Sequence, residues 1–378
     1  MTTLKQGGVL QRAVSFIENL PSAMGDFQWR LFLSQRVQNE LDQRSIQVAQ
    51  PVSLFEQSPA RRTKLRKQIS RAIDAAAPDL VFTFCGPSYL KLSAPELMGV
   101  ADGWVTHSTR EAYRSLSPWR NRLGLYLGSR YKRHWFRTAQ SWIVQTGTAK
   151  RGLAERCQLP AERIHIVPNA LAPWYRGDQP IELWQTGQKL RILYFAAPYS
   201  HKRHTWLPAI CKVIEELGER NFEIVITIDP SSPIAQTVMA EARRLGVENR
   251  IVNLGSVPVA DGLNVYRGAH ICFVPSILET FSATYLEAMA TRTPIVACDL
   301  DFARDTCGQA AVYFESANPR DAAKKILDTA RDAEQCKRLG QLGREQLSHF
   351  PNGQQQMALY RDLIQETINQ LTSSQSSP

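Results

Sequence analysis

The chain has 378 residues, of which 43% are hydrophobic and 21% charged, and its formal net charge is +10. This composition is typical of a folded protein with room for two domains, and it excludes an intrinsically disordered chain. No run approaches the roughly 20 apolar residues of a membrane-spanning helix, and the first residues lack the apolar segment of a secretory signal.

The positive charge is confined to the first half of the chain. Residues 1–180 hold 25 Lys and Arg against 13 Asp and Glu, a net charge of +12, whereas the remaining residues hold 20 against 22, a net charge of −2. Such asymmetry concerns binding partners rather than fold. It leaves nucleic acid, an anionic membrane surface and a phosphorylated acceptor as candidate partners.

The seven cysteines are scattered singly, and no Cys-x-x-Cys pair occurs. An odd number of isolated cysteines in a long chain, several of them inside apolar runs, indicates reduced, buried thiols in a cytoplasmic protein. A zinc site would need clustered Cys and His ligands, and the sequence has no such cluster.

The first half alternates strand-like and helical patterns irregularly. Gly7 and Gly8 begin a loop that leads into a helix predicted over 7–20. A basic helix is predicted over 61–77. Apolar runs predict strands over 29–35, 45–51, 79–87, 103–109, 140–146 and 163–170.

The second half has the clearer pattern, because each apolar run is unbroken and is followed by a helical segment. Strands are predicted over 190–196, 222–229, 250–255, 270–275 and 294–299. Unbroken apolar strands that alternate with helices predict a parallel sheet covered on both faces, and hence a doubly wound α/β domain over about 188–345.

A Pro- and Gly-containing segment, 172–188, interrupts this alternation and is the predicted linker. The predicted domains are therefore 1–175 and 176–350, and 351–378 is expected to form a helix that packs back toward the first domain, followed by a frayed tail. Two doubly wound, Rossmann-like domains in tandem predict a central cleft between the carboxyl ends of their sheets, where ligands are expected.

Two glutamates, Glu279 and Glu287, stand eight residues apart around a predicted helix start. Thr280, Phe281 and Ser282 lie at the helix N-terminus, whose free amides and partial positive charge suit a phosphate group. A carboxylate on each side of a phosphate site suits a nucleotide-diphosphate sugar, with the sugar on one side and the ribose on the other. An isolated pair of glutamates is more often simply solvated, so the surrounding pattern decides between these interpretations.

The stretch around the two glutamates resembles the retaining GT-B glycosyltransferases of family 4, also called glycosyl transferases group 1. The resemblance rests on Pro275-Ser276, Glu279, Phe281, Glu287-Ala288-Met289-Ala290, Pro294-Ile295-Val296-Ala297 and Asp299. It implies a GT-B fold with an acceptor-binding first domain and a nucleotide-sugar-binding second domain. It also implies that Glu279 holds the transferred sugar, that Glu287 binds the donor ribose, and that the amides of Phe281 and Ser282, next to Thr280, bind the diphosphate.

A basic loop follows the first strand of the second domain and carries His201, Lys202, Arg203 and His204. In the resembled family a lysine at this place neutralises the donor diphosphate, and Lys202 matches it. A cation there stabilises the charge that builds on the leaving nucleotide. The family often has an arginine five residues earlier, where this chain has Ala197, and Arg203 is the candidate replacement.

Several positions of the first half also resemble family positions at the cleft. Gly7 and Gly8 resemble the glycine loop that approaches the donor phosphate and the acceptor. His107, on a predicted strand, resembles a histidine near the sugar, and an ordinary packed or surface histidine is the alternative. The remaining positions, which resemble acceptor or cleft residues, are Gln145, Thr146 and Asn169.

The segment 110–137 holds eight Lys and Arg against one acidic residue, interleaved with aromatic and leucine residues. Such a segment suits docking on anionic lipid headgroups, which fits a family whose acceptors are often lipid-linked. An ordinary solvated helix face is the alternative, and a nucleic-acid patch is disfavoured.

These features predict a retaining hexosyltransferase that uses a UDP- or GDP-sugar donor and a glycan or lipid-linked acceptor in cell-envelope polysaccharide (lipopolysaccharide) synthesis. It is expected in the cytoplasm, peripheral on the inner face of the membrane, with no cofactor and no metal, because the one Asp-x-Asp match, Asp299-Leu300-Asp301, lies where the family uses no metal. A nucleotide-sugar 2-epimerase and a non-catalytic nucleotide-sugar-binding descendant remain alternatives. A nicotinamide dehydrogenase is excluded, since no Gly-x-Gly-x-x-Gly follows any strand.

Overall fold

The structure, a computed structural model, describes residues 8–116, 118–175 and 180–375. The described residues form two compact units. The first unit comprises 8–107, 123–168 and 353–375, and the second comprises 108–116, 118–122, 169–175 and 180–352.

The elements before residue 175 build two parallel sheets. The helices are α1 (Gly8–Ala23), α2 (Gln35–Gln43), α3 (Thr63–Asp74), α4 (Gly103–Thr106), α5 (Arg110–Arg114), α6 (Trp119–Phe136) and α7 (Gly147–Cys157). The strands are β1 (Leu31–Ser34), β2 (Val52–Phe55), β3 (Val81–Thr83), β4 (Glu96–Gly99), β5 (Ser141–Val144) and β6 (Ile164–Ile166). Strands β1 and β2 pair in parallel, and β3, β4, β5 and β6 form a parallel sheet in that order.

The elements after residue 180 build one larger sheet and its covering helices. The helices are α8 (Leu207–Glu216), α9 (Pro233–Leu245), α10 (Gly262–Tyr266), α11 (Ala283–Ala290), α12 (Asp301–Cys307), α13 (Pro319–Arg331), α14 (Ala333–Leu347) and α15 (Gly353–Gln375). The strands are β7 (Leu190–Tyr194), β8 (Phe222–Ile226), β9 (Ile251–Asn253), β10 (Ile271–Val274), β11 (Ile295–Cys298) and β12 (Ala311–Phe314). Helix α15 belongs to the first unit and the other elements belong to the second.

The sheet of the second unit runs β12-β11-β10-β7-β8-β9, and every neighbouring pair is parallel. This is the strand order of a doubly wound sheet, in which the winding reverses between the first and fourth strands, here β7 and β10. All four residues of β10, and four of the five residues of β7, are buried, as expected for a sheet covered on both faces. Because the loops after β7 and β10 leave the sheet in opposite directions, a crevice opens between them at the carboxyl edge.

The core of the first unit joins the two ends of the described chain. Phe16 of α1 lies 5.5 Å, between ring centroids, from Tyr360 of α15 and 5.1 Å from Phe84. Met357 and Leu363 of α15 are buried in the same apolar cluster. The C-terminal helix is therefore part of the packing of this unit.

The predicted strand over 103–109 is wrong, because Gly103–Thr106 forms helix α4. The side chain of Asp102 accepts a hydrogen bond from the backbone N–H of Trp104 at 3.1 Å, which starts a helical turn in place of a strand. The turn then packs closely on α7, where a Cβ at Gly152 would lie 2.1 Å from the carbonyl oxygen of Thr106.

The predicted strand over 45–51 is also misplaced. Strand β2 begins at Val52, directly after the predicted run ends. Pro51 has no backbone N–H to donate, and its carbonyl accepts from the backbone N–H of Leu31 at 2.8 Å. Strands β4 and β12 were not predicted. In β4 the charged residue Glu96 interrupts the apolar pattern by which a strand is predicted. Its carboxyl group is nevertheless buried and accepts a hydrogen bond from Thr83 Oγ1 at 2.5 Å. Burial raises the pKa of Glu96 to about 7.

Candidate functional site

The loops after β7 and β10 are fastened to each other at the switch point of the second sheet. The hydroxyl of Tyr194, the last residue of β7, donates to the carbonyl oxygen of Lys202 at 2.7 Å and lies 3.1 Å from Ser276 Oγ. The backbone N–H of Ile277 donates to the carbonyl oxygen of His201 at 2.9 Å. Both loops are therefore held in a defined relative position by the sheet that carries them.

An ion pair between Lys202 and Glu279 spans these two loops. The side chain of Lys202 is 12% exposed and that of Glu279 is 7% exposed. Water screens charges poorly at this depth, so each group strongly favours an opposite charge or a hydrogen-bonding ligand nearby. The structure thus brings together a cation and a carboxylate that the sequence placed on separate loops.

Helix α11 begins at Ala283, four residues after Glu279, with Ser282 as its N-cap residue. The Ser282 side chain makes no capping hydrogen bond, so the first-turn amides are not satisfied by that residue. Thr284 Oγ1 donates to the carbonyl oxygen of Phe195 at 2.8 Å, which ties the start of the helix to the end of β7. Phe281 packs edge-on against Phe350, at 5.9 Å between ring centroids.

Glu287 lies inside α11, and its carboxyl group is buried. The hydroxyl of Tyr266 donates to Glu287 Oε2 at 3.2 Å. Burial raises the pKa of Glu287 to about 7, although the Tyr266 hydrogen bond and the charge of Lys202 lower it. A carboxyl group held in this way can accept a hydrogen bond when ionised and donate one when protonated.

Arg203 follows Lys202, yet its guanidinium group is engaged elsewhere. It forms an ion pair with Glu111 of α5, and the ring centroid of Trp206 lies 3.9 Å from its Cζ. Ser316 Oγ lies 2.8 and 2.7 Å from the two carboxylate oxygens of Glu111. No sequence motif marks Glu111, although it is the single acidic residue of the segment 110–137.

His204 is buried beneath the same loop. Its ring packs against that of Tyr194 at 4.6 Å between centroids, tilted by 32°, and its Nε2 lies 3.2 Å from the carbonyl oxygen of Ala196. Burial, together with the charge of Lys202, lowers the pKa of His204 to about 4. His204 is therefore neutral near pH 7 and supports the loop without adding to its charge.

The positions selected in the first unit have separate surroundings. His107 ends α4, half-buried, with its Nδ1 2.8 Å from Thr106 Oγ1. Thr146 caps α7 by accepting from the backbone N–H of Ala149 at 3.2 Å. The adjacent Gln145 is buried, and its Oε1 has no hydrogen-bond partner among the residues that the structure describes.

The remaining selected positions are glycines at the chain start and Asn169. Gly8 is the first residue of α1, and Gly7 lies outside the described residues. Asn169 belongs to the second unit, and its Oδ1 is likewise buried without a hydrogen-bond partner within the described chain.

Within residues 8–116, 118–175 and 180–375, no group of three or more His, Cys, Asp or Glu side chains could hold a metal ion. None of the described helices combines the length and apolar character needed to cross a membrane.

Comparison with known protein families gives two matches that follow each other along the chain. A family model described as Glycosyltransferase Family 4 matches residues 7–173, and one described as Glycosyl transferases group 1 matches residues 189–332. A D-inositol 3-phosphate glycosyltransferase of Corynebacterium glutamicum is 29% identical over 165 residues, or 42% of this chain and 40% of that protein. The similarity thus spans about two fifths of the length of this relative.

Solved structures are similar over nearly the whole chain. A glycosyltransferase from Rickettsia africae matches with a TM-score of 0.70 and 16% identity, covering 97% of this chain and 96% of that one. HepE of Anabaena, in complex with UDP and glucose, matches with a TM-score of 0.68 and 14% identity, covering 98% of each chain. At identities this low, structural similarity shows the fold alone. It confirms the predicted α/β fold of the GT-B type.

Proposed function

The reaction that we propose for this chain starts from its family. The chain belongs to the family 4 glycosyltransferases, also described as glycosyl transferases group 1. The reaction is the transfer of a hexose-type sugar from a UDP- or GDP-sugar to a glycan or lipid-linked acceptor, with retention of the anomeric configuration. The observation that carries this proposal is the buried Lys202–Glu279 pair beside the start of α11, at the switch point of the second sheet.

The donor half of the proposal assigns one chemical group to each part of this site. Lys202 and the backbone amides of Thr280, Phe281 and Ser282, in the segment that leads into α11, bind the diphosphate, because both present positive potential to an anion. Glu279 accepts hydrogen bonds from the sugar hydroxyls. Glu287, next to the same helix turn, binds the ribose, and the UDP and glucose bound by HepE support a donor of this class.

Donor binding then exchanges the partners of the Lys202–Glu279 pair. Lys202 exchanges the Glu279 carboxylate for the donor diphosphate, and Glu279 exchanges the Lys202 ammonium for the sugar hydroxyls. Neither charged group is then left without a polar partner. The Lys202 cation stabilises the negative charge that builds on the leaving nucleotide as the glycosidic bond breaks.

Retention follows from attack on the face that the nucleotide leaves. A leaving phosphate oxygen accepts the proton of the acceptor hydroxyl while that hydroxyl bonds to the anomeric carbon, so no enzyme nucleophile is required. The protein contributes position and electrostatics. We propose that Lys202 supplies the charge that a metal ion would otherwise supply, and that no metal or other cofactor takes part.

The acceptor half is assigned to positions named from the family resemblance. From that resemblance, Gly7 and Gly8 are assigned to binding of the donor phosphate and the acceptor, and His107 to binding of the transferred sugar. Gln145 and Asn169 each carry a buried oxygen without a partner among the described residues, and such an oxygen gains stability from a hydroxyl donor. Thr146 is included as the neighbour of Gln145 and cap of α7.

A lipid-linked acceptor suits the surface of α6. Its exposed apolar residues stand at helical spacing: Trp119 is 64% exposed, Leu123 49% and Leu127 55%. Arg120 and Arg130 are exposed on the same helix, which has no acidic residue. An apolar, basic helix surface favours anionic lipid headgroups, so we place the enzyme in the cytoplasm on the inner face of the membrane, in cell-envelope polysaccharide synthesis.

The membrane part is tested by flotation with vesicles that contain about 30% anionic lipid, at low and high salt. Wild type should float, and a Trp119→Ser/Leu123→Ser/Leu127→Ser variant should not. Equal activity on soluble acceptors and no flotation of the wild type would reject the lipid surface and leave the transfer reaction standing.

The donor part is tested by thermal shift with UDP, GDP, ADP and their sugar conjugates. One nucleotide should raise the Tm of the wild type, and Lys202→Ala and Glu287→Ala should abolish the rise. Lys189→Ala is the matched control, because it removes one lysine of the same unit, here a largely exposed one that pairs with Glu223. A wild type that responds to no nucleotide overturns the proposal, and turnover of the sugar nucleotide without any acceptor identifies an epimerase instead.

A further inference from the structure

The backbone of Arg203 adopts a conformation that ordinary residues avoid. Its φ is 56° and its ψ is 34°, in the left-handed region that favours glycine. Arg203 is also the residue that follows Lys202 and precedes the buried His204. Strain at one residue persists only when the surroundings hold it. Here the backbone N–H of Arg203 donates to the carbonyl oxygen of Ser200 at 3.1 Å, and the contacts of the Arg203 side chain add to this support.

Three residues contact the guanidinium group of Arg203: Glu111, Ser316 and Trp206. The Arg203 side chain is 6% exposed and forms an ion pair with Glu111. Its Nη1 lies 3.5 Å from Ser316 Oγ, and its guanidinium lies over the ring of Trp206. Ser316 also bonds Glu111, so the three polar groups form one closed network within the second unit.

This network of Arg203, Glu111 and Ser316 holds the turn at the residue that follows Lys202. A second anchor acts on Lys202 itself, because the Tyr194 hydroxyl donates to its carbonyl oxygen. Between these two anchors the Lys202 side chain reaches Glu279. A flexible lysine acts as a well-placed point charge only if its backbone is held, since displacement by about 1 Å can cost two orders of magnitude in rate.

We propose that Glu111 and Arg203 are positioning residues of the donor site, which hold the turn so that Lys202 points at the phosphate position. The inference rests on the proposed function, because it presumes that Lys202 binds the donor diphosphate. Glu111 neutralises Arg203 and thereby keeps the guanidinium group from competing with Lys202 for the donor. A partly buried ion pair adds little net stability in general, so orientation of the loop is the role that its geometry supports.

The experiment compares Glu111→Gln with a matched control elsewhere in the same unit. Glu215→Gln breaks the Arg250–Glu215 pair, whose Nε–Oε1 distance is 2.9 Å and whose arginine Cζ lies 5.3 Å from the ring centroid of Phe222. Both variants lose one arginine–carboxylate pair beside an aromatic ring, but only Glu111 connects to the Lys202 turn. Tm, the Kd of the nucleotide found in the thermal-shift screen, KM and kcat are measured for each.

Glu111→Gln should raise the Kd and the donor KM on the order of tenfold, while Glu215→Gln lowers Tm without changing either constant. Glu111→Asp should restore part of the affinity. Arg203→Gly is the second variant: glycine adopts the left-handed turn without strain, so a loss of affinity there reports the side-chain contacts alone. If Glu111→Gln does not fold, the nucleotide Kd and donor KM of Arg203→Gly and Ser316→Ala test the positioning role instead, and both constants should rise.

The failures of the two proposals are distinguishable. If the wild type binds no nucleotide, the proposed function fails and the positioning role fails with it. If the wild type binds, Lys202→Ala abolishes binding, and Glu111→Gln and Arg203→Gly keep wild-type Kd and KM, the positioning role is refuted and the donor site stands.

Discussion

Lys202 and Glu279 form an ion pair that joins the loops after β7 and β10, and both side chains are largely buried. The pair gives the carboxyl edge of the second sheet a compact, dipolar site rather than a net charge. A ligand that carries a phosphate and hydroxyl groups can replace both halves of the pair at once.

Removing one member of this pair should destabilise the protein more than removing both. Lys202→Met leaves the Glu279 carboxylate buried and unpaired, and Glu279→Gln leaves the ammonium unpaired, so each should cost about 3 kcal/mol of unfolding free energy. The double variant should cost less than either single variant, and so clearly less than their sum. Urea denaturation of the four proteins forms a double-mutant cycle, and additive costs would contradict coupling between the two groups.

Tyr266→Phe should weaken nucleotide binding by loosening Glu287. The substitution removes the hydroxyl that donates to Glu287 Oε2, so about 1 kcal/mol of stability and a several-fold increase in nucleotide Kd are expected. Tyr313→Phe is the control, because it removes a hydrogen bond to the carbonyl oxygen of Gly308 in the same unit. Equal effects of both variants on Kd would show that Tyr266 has no specific role in the site.

Glu287 should make the protein less stable as the pH rises toward neutrality. Its pKa in the fold is about 7 against an ordinary 4.5, so its contribution is complete below pH 4.5 and is lost as the pH rises through 7. Relative to the wild type, Glu287→Gln should therefore gain up to about 3 kcal/mol of unfolding free energy between pH 4.5 and 7.5.

The comparison with Glu287→Gln isolates this one group. His204, whose pKa is lowered to about 4, acts in the opposite direction and loses its contribution as the pH falls from 6.5 toward 4. Glu96 acts in the same direction as Glu287. Both are present in wild type and variant and cancel in the difference, so a pH-independent difference would mean that Glu287 is not buried as described.

Gly262→Ala should destabilise the second unit and disturb Glu287 indirectly. A Cβ at Gly262 would lie 2.0 Å from the buried Tyr175 hydroxyl oxygen and 3.0 Å from the ring of Phe195, so α10, which carries Tyr266, must shift. A loss of about 1–3 kcal/mol is expected from overpacking.

The control for this prediction has the opposite sign. Gly124→Ala lies on α6, where no atom is within 4 Å of the added Cβ, so it should stabilise that helix by about 0.5–1 kcal/mol. Chemical denaturation of both variants measures the two changes, and a neutral Gly262→Ala would show that the packing at Tyr175 yields easily.

The second sheet was predictable because its strands are buried on both faces. Such strands are unbroken apolar runs, and the five predicted runs contain β7 through β11. The fifteen-residue stretch from Pro275 to Met289 also carried enough local pattern to indicate the family. Strand β4 was not predictable in this way, because the burial of Glu96 depends on Thr83 of a neighbouring strand.

The sequence by itself determined the fold class and strands β7 to β11 of the second sheet, since apolar periodicity and the residues after each strand are local properties of the chain. Only the tertiary structure decided that Asp102 starts a helix at 103, that Tyr266 bonds Glu287, and that Glu111 neutralises Arg203. These partners are far apart in sequence or depend on competing local hydrogen bonds. Their free energies come from burial and geometry, which exist only once the sheets have brought the loops together.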